Sequence, residues 1–314
     1  MNTYQSLTKK FFIFVFLLIF YFAPQSANST EFPVRKAKKV LVISNKDNPF
    51  KGAYDIAIDQ NTDTIYVRAK NKIQAYDTTG SFLFEFGDAN TPDYILSNIL
   101  GLWVDPAGKI YVVSRGNDNV AVFNPQGDFL FKFKTEHSPW DVITNSYGDI
   151  IVSINNFGSS HIQIFDNEGK YKYSIKKIVV NANQKFDFGN PLYLGATSDD
   201  RIFVTDDFHV KVLVFDIKGK LVNNFGGRGD VTGKFFSVTG LCVDSKNRVY
   251  VVDRTNGFVQ IFTRDGEFLA AVSNENSGPP GLVFPSGIAF DSKQRLYCLE
   301  GDFARISVFD FMDR

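Results

Sequence analysis

Six times along the chain an aliphatic residue is followed by an aromatic or second aliphatic one inside a short apolar run: Ile65-Tyr66, Ile110-Tyr111, Ile150-Ile151, Ile202-Phe203, Val249-Tyr250 and Leu296-Tyr297. The spacings are 45, 40, 52, 47 and 47 residues. Each pair opens a strand-like run that follows another one. A further strand then closes on an aromatic, at Tyr76, Phe123, Phe165, Phe215, Phe262 and Phe309. The turns recur too, as Asp77-Thr-Thr-Gly80, Asn124-Pro-Gln-Gly127, Asp166-Asn-Glu-Gly169, Asp216-Ile-Lys-Gly219 and Thr263-Arg-Asp-Gly266. An Asp or Asn opening such a turn accepts a backbone bond from two residues on, and the glycine takes the left-handed position. The strand after the turn alternates with period two, as in Phe82, Phe84, Phe86 and Phe129, Phe131, Phe133, so it offers one apolar face to a neighbour.

Units of this length with four strands and no amphipathic helix read as propeller blades. The expected fold is all-β: a six-bladed β-propeller of four-stranded antiparallel blades, with blades at about 48–90, 91–135, 136–180, 181–230, 231–275 and 276–314. The middle of each innermost strand should be crowded, and it holds Ala57, Gly195, Cys242 and Ala289 in four units, with Trp103 and Ile143 as exceptions. The sixth unit ends soon after Phe309 without a fourth strand. The run Lys39 to Ser44 (KVLVIS) precedes the first unit and belongs to no other. Docking that N-terminal strand on the last blade would close the ring and cover an edge that otherwise invites aggregation.

This pattern resembles the NHL repeat family. The matches are Pro285-Ser-Gly-Ile-Ala-Phe-Asp291, Val249-Tyr-Val-Val-Asp253, Asn256-Gly-Phe-Val-Gln-Ile-Phe262 and Gly266-Glu-Phe-Leu269. The resemblance runs from about Asn48 to the end and implies six blades. It implies no single activity: relatives serve as protein-binding modules, RNA-binding surfaces and, in one branch, a zinc-dependent lyase.

The N-terminus reads as a secretory signal peptide over residues 1–29, with Lys9 and Lys10 before an apolar run of 12 residues, Phe11 to Phe22. A spanning helix needs roughly 20 apolar residues, so an uncleaved signal anchor is the alternative. The expected location is secreted or periplasmic, with no stable membrane insertion after signal removal. Without that segment the chain carries 32 basic and 34 acidic side chains, a poor basis for binding nucleic acid. Cys242 and Cys298 lie in strand-like runs and read as two buried thiols, because a chain of this size does not need a disulfide staple.

The cluster Asp206-Asp207-Phe208-His209 looks at first like chemistry. In register, however, Asp206 takes the place of Ala69, Ser114, Ile154, Asp253 and Glu300 at the end of the second strand. It is therefore repeat punctuation, with Asp207 and His209 in the loop beyond. The lyase branch sets histidine at the start of several first strands. Here those places hold Tyr54, Leu100, Trp140, Leu192, Thr239 and Ser286. The three histidines, His137, His161 and His209, fall in three different registers, so no shared zinc site is expected among them. A calcium-dependent hydrolase resembling the lactonases would need acids round the first-strand starts, and only Asp55 and Asp141 offer them. Neither a catalytic constellation nor a cofactor motif is recognisable. Gly226-Gly-Arg-Gly229 opens no helix and reads as a flexible connection.

The preferred reading is a non-catalytic scaffold that binds a protein, peptide or glycan through the loops round the channel. The candidate contacts are Tyr54, Arg115, Trp140, Asp207, His209 and Arg254, together with the connections at 87–98, 176–190 and 226–237. The alternative is a metal-dependent (calcium or zinc) hydrolase or lyase at the channel mouth.

Overall fold

The computed structural model describes residues 37–44, 52–69, 71–88, 96–181, 184–272, 282–303 and 305–311. The expected signal peptide and part of the 87–98 connection lie outside them. Within the described residues the chain forms six four-stranded antiparallel sheets. Their innermost strands are Ile56–Ile58, Ile99–Val104, Pro139–Thr144, Pro191–Ala196, Val238–Val243 and Ile288–Phe290. Each innermost strand contacts those of the sheets before and after it, and the first contacts the sixth. The result is a closed six-bladed propeller.

Closure follows the sequence expectation. Ala37–Ile43 pairs antiparallel with Arg305–Phe311 and supplies the fourth strand of the sixth blade, in register from Ala37 opposite Phe311 to Ile43 opposite Ile306. Packing between blades shows that it does the work of a fourth strand. Elsewhere the last apolar residue of a fourth strand stacks on the third-strand aromatic of the next blade, as Phe86 on Phe123 at 4.9 Å and Phe133 on Phe165 at 4.7 Å. The next blade's turn glycine covers the same ring: a Cβ on Gly127 (φ +86°) would lie 2.7 Å from Phe86 Cδ1. At the seam Ile43 takes that place, 2.5 Å from where a Gly80 Cβ would be. These glycines therefore answer to a left-handed backbone and to packing at once.

The first strands begin, and the second strands end, on one face of the disc, the loop face. The tight turns lie on the opposite turn face. There the blades are tied by a device the repeat does not announce. Asp63, Asp200, Asn247 and Gln294 hold positive φ in the first turn of their blades, a conformation that usually favours glycine. Their side chains accept the backbone amides of Ser292, Ser146, Ser198 and Ser245, each from the preceding blade. Blades two and three carry Gly108 and Gly148 at that position.

Two connections differ from expectation. Residues 176–190 contain a two-stranded hairpin, Ile178–Asn181 with Gln184–Phe186, so the fourth blade's own strands begin only at Pro191. Gly226 to Gly229 is pinned rather than flexible. Gly227 N donates to Val210 O at 2.7 Å, Phe235 N donates to Gly227 O, and Gly226 packs on the Phe235 ring. The glycines are needed for positive φ at Gly226 and Gly227.

Candidate functional site at the channel mouth

The six first strands surround a cavity of about 410 Å³ whose mid-level is set by Ala57, Trp103, Ile143, Gly195, Cys242 and Ala289. Crowding explains the small residues: a Cβ on Gly195 would sit 2.2 Å from Leu241 Cδ2. At its loop-face end the cavity is lined by Asp55, Asp141 and Tyr193.

Asp55 and Asp141 are inter-blade clips. Asp55 accepts from Ile56 N at 2.9 Å and, in the next blade, from Leu102 N at 2.8 Å. Asp141 accepts from Val142 N and from Leu194 N of the next blade, each at 2.8 Å. The ladders of the second and fourth blades are interrupted just before Leu102 and Leu194, where the amides need a partner other than a neighbouring strand. A glycine in the preceding blade makes room. Cβ atoms on Gly101 and Gly287 would lie 2.5 Å from Asp141 Cα and 2.9 Å from Asp55 Cα. Burial pushes the Asp141 carboxyl up to about 7. Burial, with the Asp141 charge nearby, also raises Asp55 well above the usual carboxylate range. Both oxygens of each carboxyl are thus already engaged by amides. This geometry serves the fold before it serves a cation. Among the described residues no group of three His, Cys, Asp or Glu side chains is placed to hold a metal ion.

Tyr193 crosses the mouth. It belongs to the fourth blade, and its hydroxyl lies 3.4 Å from Tyr54 O in the first, on the opposite side of the ring. Burial, with Asp55 and Asp141 nearby, raises its phenol. Above it Tyr54 is 40% exposed, with Arg68 stacked at 4.8 Å and Arg254 at 5.9 Å from its centroid. Arg68 is buried and donates to Ile99 O and Gly52 O. Arg254 also covers Phe284 at 5.8 Å and meets Asp302 at 3.3 Å. The structure therefore brings two predicted residues, Tyr54 and Arg254, into one cluster. It adds Arg68, Phe284 and Tyr193, which sequence reasoning passed over. Arg68 could have been noticed as a charge inside the apolar run Ile65–Ala69.

Arg115 and Trp140 form a second cluster, with the guanidinium 5.3 Å from the ring centroid. Asp207 and His209 lie in a third place. Asp207 accepts from Ser237 Oγ at 3.2 Å, and burial raises its carboxyl. His209 Nδ1 is 3.0 Å from Asp206 Oδ2. Asp206 itself is fully buried and accepts from Gly189 N and Asn190 N. Asp253 does the same for Phe236 N and Ser237 N, and Glu300 for Val283 N. The second-strand acid thus fastens the segment leading into the first strand of its own blade. His137 pairs with Asp118 at 2.7 Å, and His161 lies apart from both other histidines in register and partners. Cys242 and Cys298 are free thiols packed on one apolar cluster, and burial pushes both upward.

The loop face also shows aromatic rings to solvent. Phe157 is fully exposed, Phe208 is 73% exposed, and Phe236, Phe284 and Phe303 are exposed as well. These rings come from the third, fourth, fifth and sixth blades, and exposed large apolar side chains of this kind are candidate contacts for a partner.

Comparison with known proteins agrees on architecture. A family described as 6-bladed beta-propeller matches residues 183–257. Protein lin-41 of Caenorhabditis elegans is 43% identical over 53 residues, which is 17% of this chain and 4% of that protein's length. Among solved structures, a streptogramin B lyase superposes with a TM-score of 0.62 at 16% identity, covering 86% of this chain and 97% of that one. A gluconolactonase of Xanthomonas campestris gives 0.63 at 14%, covering 91% and 93%. Virginiamycin B lyase from Staphylococcus aureus gives 0.60 at 14%, covering 88% and 99%. At these identities the likeness is one of fold, and the chain is a six-bladed β-propeller.

Proposed function

We propose that the protein is an exported, NHL-like propeller that binds a protein, peptide or glycan through its loop face and carries out no chemistry of its own. One observation carries this reading. Rings and guanidinium groups stand at the solvent surface of the mouth, in Tyr54 with Arg254 and Trp140 with Arg115, whereas the acids beneath are occupied by backbone amides. Aromatic and arginine side chains on a rigid scaffold are the usual anchors of recognition.

The test is quantitative binding of a partner isolated from the envelope or extracellular fraction, or of glycans displayed on an array. A double variant, Tyr54→Ala with Phe284→Ala, should weaken binding at least tenfold. Tyr147→Ala, on the turn face, should leave it unchanged. Equal affinity of the loop-face variant would remove the proposal.

A second reading, a metal-dependent hydrolase or lyase, draws on one observation. Asp55 and Asp141 both line the loop-face end of the channel cavity, and burial raises both carboxyls. Stoichiometric calcium or zinc in the purified protein, lost together with turnover on Asp141→Asn, would favour it over the scaffold.

A further inference from the structure

The rim of the third blade carries a pair of side chains that neither the mouth nor the repeat uses. His161 opens the third strand there, opposite Ile154. The equivalent places in other blades hold Lys72, Asn119, Lys211, Phe258 and Arg305. The histidine is 3% exposed. Its Nδ1 lies 2.7 Å from the Ser159 carbonyl oxygen, and a carbonyl only accepts, so Nδ1 carries the proton. Nε2 is buried and has no hydrogen-bond partner. Glu136 Oε2 stands 3.4 Å from it.

That separation is long for a hydrogen bond. It matches two ligand atoms sharing one tetrahedral ion: at metal–ligand distances of roughly 2.0–2.1 Å they lie about 3.3 Å apart. A histidine whose second nitrogen is fixed on a carbonyl is also the outer-shell arrangement that orients metal-binding imidazoles. The pair faces a pocket of about 220 Å³, lined as well by Ser160, Lys176, Lys177 and Asp187. Lys177 is engaged by Asp187. Lys176 lies 3.6 Å from the other Glu136 oxygen and is 62% exposed.

We infer that His161 and Glu136 form a binding site for a borderline divalent transition ion such as Zn²⁺, with water completing its shell. Imidazole with carboxylate suits that class of ion better than calcium or magnesium. The three histidines stand in different registers and do not meet on the axis, whereas this site needs only one of them, with a carboxylate from the connection between the second and third blades. A bound ion would tie that connection to the third strand.

The test titrates Zn²⁺ into the purified protein by calorimetry and follows the thermal midpoint in parallel. One saturable equivalent and a rise in midpoint are expected. Glu136→Gln and His161→Ala should each lower affinity at least tenfold, and His137→Ala and His209→Ala should not. Glu136 is half exposed, so Glu136→Gln reports even where loss of the buried imidazole disturbs folding. Absence of a saturable equivalent, or uptake unchanged in Glu136→Gln, would overturn the inference and leave a histidine–glutamate ion pair only.

Discussion

Replacing Asp141 probes the inter-blade clip directly. Its two oxygens hold the amides of Val142 and Leu194, both at 2.8 Å, in a residue 4% exposed. Asp141→Ala strips both amides of their acceptor. At roughly 1–3 kcal/mol per orphaned buried group, the loss is about 2–6 kcal/mol. Asp141→Asn keeps one acceptor and turns a donor toward the other amide, so it should cost about 1–3 kcal/mol. In a chain of this size a loss of 3 kcal/mol lowers the thermal midpoint by roughly 5 °C.

The pH dependence follows from the raised carboxyl. Its folded-state value is about 7, against an ordinary 3.8, so the folded state favours the neutral form. That contribution is fully present below about pH 4 and is lost as pH rises through 7. Asparagine, always neutral, does not lose it. The midpoint gap between wild type and Asp141→Asn should therefore be wide at pH 5 and narrow by pH 8. Thermal unfolding followed by the fluorescence of Trp140 and Trp103 reads both quantities. A midpoint for Asp141→Ala within a degree of wild type, or a gap that widens with pH, would refute the clip.

Two further changes test the ring. Deleting residues 30–45 removes the strand paired to Arg305–Phe311 and should give an aggregating or unstable protein, visible in size-exclusion chromatography; a monomer of unchanged thermal midpoint would count against closure by that strand. Gly101→Ala would set a Cβ 2.5 Å from the Asp141 main chain, where backbone cannot yield cheaply, and should destabilise by about 1–3 kcal/mol in denaturant unfolding; a neutral result would mean the first strands are not packed this closely.

Much of this was legible because a propeller repeats itself. Comparing each residue with its five counterparts identified Asp206 as a fixture of the second strand's end, and the bond from Gly189 N shows why an acid stands there. The same comparison singled out Asp55 and Asp141 as the acids at the first-strand starts. It offered them as calcium candidates, because sequence shows an acid and not what the acid touches. The hairpin at 178–186 escaped notice since it belongs to no repeat. The side chains at positive φ on the turn face escaped because Asp63, Asp200, Asn247 and Gln294 occupy places where glycine would be unremarked.

The chain's local pattern determined the number of blades, their four strands, the turns and the closing strand, because alternation and turn chemistry act over a few residues and recur unchanged. Tertiary structure alone decided the contacts across the ring: Tyr193 reaching Tyr54 over the channel, the amides that Asp55 and Asp141 accept, the arginines that stack on Tyr54, and His161 turned toward Glu136. Each joins residues brought together by the rotation of one blade against another, and that rotation is set by how packed sheets fill the space between them, which no periodicity along a single chain records.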